Sequence, residues 1–172
     1  MRHTLMKIGV LLLLKFSASI GIAADKPSEY NLNEGGDIRS AFPFPYESIK
    51  NSNISLNKSW DELPEKEKNI VRGYYEKMPA GDEPPFPLEG LMPLYTAFSG
   101  AHRKMGIAGD LNLIARIGSD GTVQEVKNYS RLSSQAVSVY AKIVLLTKFK
   151  PAKCAGQACV MDFPLHFSFV HN

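Results

Sequence analysis

The side chains able to do chemistry are few and scattered. Three histidines follow residue 24, His102, His166 and His171, and no two lie within four positions of each other. Metal centres draw on ligands gathered at short, regular spacing, so no metal site is expected. Asp82-Glu83 is a carboxylate pair. Acid–base work needs two carboxyls that converge, whereas side chains adjacent in sequence usually diverge. Joined by His102 they would make the catalytic set of a small hydrolase, and the plainer reading is an exposed acidic pair. The chain has no His-Glu-x-x-His, no Gly-x-Ser-x-Gly and no Gly-rich phosphate loop after a strand. The expectation is a non-enzyme with no catalytic residues, no cofactor and no tightly held small molecule.

The two cysteines do carry chemistry. Cys154 and Cys159 are the only pair and are separated by Ala155-Gly156-Gln157-Ala158. A redox pair is more often Cys-x-x-Cys, and a zinc site needs two further ligands. A hairpin loop holding a Gly would bring them within the roughly 5.5 Å Cα separation that a disulfide tolerates. Such a bond implies an oxidising compartment.

The first 24 residues agree with that. Arg2 and Lys7 precede an apolar run over 8–14, and Gly21-Ile22-Ala23-Ala24 leads to the polar Asp25-Lys26-Pro27. Positive head, apolar middle and small-residue exit are the pattern of a secretory signal peptide, cut after Ala23 or Ala24. Lys15 ends the apolar run early. An uncleaved anchor over 8–24 would be short and would bury that charge, at about 2.5–3.5 kcal/mol. The overall excess of 20 Lys+Arg over 17 Asp+Glu comes from Arg2, Lys7 and Lys15, since the leader has no acid. The remainder is neutral, which argues against nucleic acid as a partner.

Nine of the eleven prolines fall between Pro27 and Pro93, so that half cannot be a regular sheet or a long helical array. Residues 25–58 read as an extended lead-in with an aromatic cluster, Phe42-Pro43-Phe44-Pro45-Tyr46. Residues 59–105 read as a helical and proline-rich accessory segment. A helix starts at the Ser59-x-x-Glu62 box or at Pro64 and runs to Met78, with Leu63, Ile70, Val71, Tyr74 and Met78 on one stripe. Pro84-Pro85-Phe86-Pro87 is a stiff strap anchored by Phe86. Residues 88–105 carry Leu91, Leu94, Tyr95 and Phe98 at helical spacing, and Pro93 within them implies a short or bent helix.

The last third is the most regular. Leu111, Leu113, Ala115 and Ile117 alternate with other residues, giving a half-buried strand. Ser119-Asp120-Gly121 turns the chain back. Val123 and Val126 have opposite parity, so the return strand needs a bulge between them. Ser133-Ser134 caps a helix over 135–147 that is apolar almost all round and so should be covered on two sides, by the sheet and by the earlier helices. In the final strand Met161, Phe163, Leu165, Phe167 and Phe169 share one parity. Pro164 lacks a ladder donor, so this strand is an edge or is bulged there. The fold class is α+β: a small three-stranded antiparallel sheet, β-β-α-β, packed by a hydrophobic helix, with further helices upstream.

These features resemble the C-terminal domain of the TonB energy-transducer family. The resemblance rests on Gly109-Asp110-Leu111-Asn112-Leu113, Asp120-Gly121-Thr122-Val123-Gln124-Glu125-Val126, Ser133-Ser134 before the helix, Lys148-Phe149-Lys150-Pro151-Ala152 after it, and the aromatic closing strand. It covers residues 106–170, within a domain drawn over 106–172. It implies a periplasmic, bacterial protein that binds an extended segment of an envelope or outer-membrane protein at a strand edge. The edge expected to bind is the closing strand, through Met161, Phe163, Leu165, Phe167 and Phe169. The chain departs from the family in lacking a Pro-Glu/Pro-Lys linker and in having the cysteine pair. A membrane-anchored transducer assisting transmembrane transport, and a periplasmic inhibitor-type protein, are the alternatives.

Overall fold

The computed structural model describes Tyr30, Leu32 and residues 54–169. The leader with Ala23 and Ala24, most of the lead-in with its aromatic cluster, and residues 170–172 with His171 lie outside the described residues. In chain order the elements are α1 (Glu65–Arg72), β1 (Phe86–Pro87), α2 (Met92–Met105), β2 (Gly109–Ile117), β3 (Val123–Asn128), α3 (Ser134–Leu146), β4 (Phe149–Lys150), β5 (Ala152–Cys154), β6 (Gln157–Cys159) and β7 (Met161–Phe169). The class is α+β with antiparallel sheets. The main sheet runs β3-β2-β7, and β1-β4 and β5-β6 are separate two-stranded ladders. Three short strands thus stand between α3 and β7: β5 and β6 are the hairpin expected at the cysteines, and β4, paired with β1, is the addition.

β2 forms because its alternation buries Leu111, Leu113, Ala115 and Ile117 on one face. At the turn the Gly118 N–H donates to Thr122 O (2.8 Å), and Asp120 Oδ1 accepts from the N–H and hydroxyl of Thr122. Gly121 has φ 78°, and a Cβ there would lie 2.1 Å from Phe149 O, so only glycine fits. Arg116 pairs with Glu125 and Ile117 with Val123. Gln124 is therefore the extra residue of a bulge that reconciles the two valines, as expected.

Ser133 Oγ accepts the Ala136 N–H (3.3 Å) and starts α3, whose Ala136, Tyr140 and Val144 are buried. The expected sandwiching of this helix is corrected. α2 lies beside α3 on the same sheet face, because Phe98 meets Tyr140 of α3 at 5.3 Å and Phe167 of β7 at 4.6 Å between ring centroids. α3 lies mainly over β3 and β2 and meets β7 where Tyr140 stacks on Phe169 (5.2 Å), so Phe167 takes its cover from α2.

α1 is shorter than its stripe implied. Ser59 N–H and Oγ–H both donate to Glu62 Oε2 (2.8 Å each), but that turn precedes the helix, which begins after Pro64. It ends at Arg72 because Tyr74 and Tyr75 tighten into bonds to Val71 O and Arg72 O, and Tyr75 then pairs with Leu32. Arg72 pairs with Glu65. Phe86 anchors the strap as expected, between Trp60 (5.9 Å) and Phe163 (6.4 Å). Pro93 sits in the first turn of α2, where a missing N–H matters least. One continuous core joins Ile54, Trp60, Phe86 and Phe98 to β2, α3 and β7.

Cys154 and Cys159 are disulfide-bonded. β5 and β6 meet through Ala155-Gly156, both at positive φ, and pair Ala152 with Cys159 and Cys154 with Gln157. The bridge therefore spans a diagonal, at a Cα separation of 5.9 Å.

Candidate functional site

β7 lies at the rim of the main sheet, and the register shows which of its groups face outward. The Tyr129 N–H donates to Asn112 O (2.9 Å), so the backbone of Asn112 turns toward β3. By alternation Leu111, Leu113, Ala115 and Ile117 turn theirs toward β7. Their partners there are Phe167, Leu165, Phe163 and Met161. These residues use their N–H and C=O on β2, and with Phe169 their side chains enter the core, none more than 7 % exposed. The five residues singled out in the sequence are thus on an edge strand but turned inward. Asp162, Pro164, His166 and Ser168 are the ones whose backbone faces out. Pro164 stands in unbroken register opposite Ile114, at a position that asks for no ladder donor. The Tyr75 hydroxyl donates to Asp162 O (2.8 Å), occupying one rim acceptor. Asp162 and Ser168 are half-buried and Pro164 is buried.

The same four residues project onto the sheet face opposite the helices, where a polar chain links β7 to β2. His166 Nδ1–H donates to Asn112 Oδ1 (2.5 Å), and Ser168 Oγ–H donates to Asp110 Oδ1 (2.5 Å). His166 Nε2 lies 3.4 Å from Ser168 Oγ. Serine, imidazole and amide are ordered as in a nucleophilic triad, but the serine proton is directed at Asp110 rather than at the imidazole. The chain acts as a cross-strand latch. His166 and Asn112 are 5 % and 6 % exposed. Burial pushes the imidazole below its ordinary pKa, with the charge of Asp110 pulling the other way. Ser130 clasps the latch, its Oγ accepting the Asn112 N–H at 2.7 Å. The signal for the latch is the register that sets His166 opposite Asn112.

Asp82, Glu83 and His102 do not converge. Asp82 accepts the Tyr30 hydroxyl and the Ala155 N–H. Glu83 pairs with Lys150 at 2.7 Å and Lys153 at 3.8 Å. Burial raises its pKa, but the Lys150 bond and the nearby lysine charges outweigh this and hold it below the usual carboxylate range. His102 Nδ1–H donates to Ile107 O (2.6 Å), and its ring stacks on Phe169 at 4.8 Å. Lys68, Arg72 and Lys150 all approach the Trp60 ring, at 5.4–5.7 Å from its centre. Each of these groups ties upstream chain to the core. Among the described residues no three His, Cys, Asp or Glu side chains gather as a metal site, and no helix is long and apolar enough to cross a membrane. No protein-family model matches the chain, and no curated protein matches it.

Proposed function

We propose that this is an exported, periplasmic, non-enzymatic protein-binding module with a TonB C-terminal-like β-β-α-β core formed by β2, β3, α3 and β7. It takes an extended segment of an envelope protein as an added strand. The reading rests on one observation: among the described residues β7 has a neighbour on one side only, and its outward register contains Pro164, which no interior strand would tolerate. Proline and the Tyr75 hydroxyl blunt the half of the rim near Asp162. Recognition is therefore centred on the half that carries Ser168, where an incoming strand meets an outward N–H and C=O.

The test is capture from periplasmic extract followed by hydrogen exchange of the complex. Ser168→Ala removes only the hydroxyl and should keep binding. Ser168→Pro removes the outward N–H and should abolish it, while Phe167→Pro, facing inward, should unfold the sheet. Binding should slow exchange at the Ser168 amide. Equal capture by wild type and Ser168→Pro, or protection confined to another part of the chain, would overturn the reading.

A further inference from the structure

We infer that the chain self-associates as a two-fold dimer through the junction of α2 and α3, a surface separate from the sheet rim. Among the described residues five large hydrophobic side chains are exposed; Leu88 (53 %) and Leu146 (82 %) line one hollow here, and Met92 (40 %) and Leu145 (48 %) lie on the helix ends that flank it. The Leu88 N–H bonds to Lys148 O (3.0 Å), which draws the start of α2 against the end of α3. Between them opens an apolar cavity of about 510 Å³, lined by Pro93, Leu94, Ala97 and Ile143, with Leu146 at its mouth. Apolar clusters of this kind, rimmed by polar groups, mark interaction surfaces.

The rim identifies the occupant. Glu89 and Lys148 both line the cavity; neither forms a direct ion pair among the described residues, and Lys148 acts on Asp120 only through its field. One acid, one base, one protruding leucine and one hollow on a single patch are self-complementary. Under a two-fold rotation Glu89 of each copy meets Lys148 of the other, and each Leu146 enters the opposite hollow. An anionic bilayer would press Glu89 against like charge, and a partner of single sign would leave one of the two charges opposed.

Sedimentation velocity over the micromolar to sub-millimolar range tests this, on the full chain expressed with its own leader and with its processed form recorded by intact mass. A reversible dimer is expected. Leu146→Glu, at a position too exposed to disturb the fold, should weaken it at least about tenfold. E89K and K148E should each weaken it several-fold, since each sets like charges together twice in a symmetric interface. The E89K/K148E double variant should recover wild-type association. A chain that stays monomeric throughout, a dimer indifferent to Leu146→Glu, or a double variant no better than the singles would each overturn the inference.

Discussion

At His166 the pKa shift fixes the sign of a pH effect. The ordinary value is 6.5, and burial holds the folded imidazole below it. Between those two values the unfolded chain binds more protons than the folded one, so stability rises with pH across that window. The contribution is complete above about pH 6.5 and is lost as pH falls toward the folded value. His166→Gln keeps a polar side chain opposite Asn112 but cannot be protonated. Urea midpoints measured from pH 7.5 down to pH 5 should therefore fall less steeply for the variant than for the wild type. Parallel slopes would show that the latch does not titrate in this window. Ser168 and Asp110 sharpen the point. A serine that gives its proton to a carboxylate, on a strand whose other parity is core, is a structural group.

Elements differ in how much of their geometry is local. The disulfide hairpin is almost wholly local. Closing its short loop stabilises by about 2 kcal/mol in the chain-entropy model. Its surroundings add Asp82 accepting the Ala155 N–H and the reciprocal backbone bonds of Glu83 and Lys153. Reduction, or Cys154→Ala with Cys159→Ala, should therefore lower unfolding free energy by about 2 kcal/mol and speed amide exchange mainly in β5 and β6. A global loss of structure would show that the bridge holds more than the hairpin. What the sequence revealed follows the same division. β2, the Asp120-Gly121 turn, the Gln124 bulge and the Ser133 cap rest on neighbours within a few residues, so all were legible. The end of α1 was not, because Tyr75 is claimed by Leu32 and Asp162, far away in the chain. The placement of α2 was not legible either, since an apolar stripe says that a helix is covered but not by what. The edge position of β7 was legible through Pro164. The inward turn of its aromatic residues follows only from the register with β2, and so the side chains first read as the contact surface are core.

On the scale of the whole molecule, residues 54–105 are a structural part of the sheet domain rather than an attachment to it. Phe163 is packed by Phe86 as well as by Phe149, and Phe167 is packed by Phe98. Trp60, Val71, Phe86, Leu91, Leu94 and Phe98 all belong to the one continuous core. Each large side chain of this kind stabilises by roughly 1.5–3 kcal/mol when fully buried. Six together contribute on the order of 10 kcal/mol, which is comparable to the entire stability of a typical domain, about 5–15 kcal/mol. A fragment spanning 106–172 keeps every strand of the main sheet and α3, yet Phe163 and Phe167 of β7 would lose Phe86 and Phe98 and be left partly to water. It should keep helical and strand signals in far-ultraviolet circular dichroism, lose the near-ultraviolet signal, bind an apolar dye and unfold in urea without a cooperative transition. The chain with 59–105 retained should unfold cooperatively. A fragment that unfolds as sharply as the longer chain would mean that β7 finds its cover within the last third alone, and that the strap and α2 are dispensable to the rim they now support.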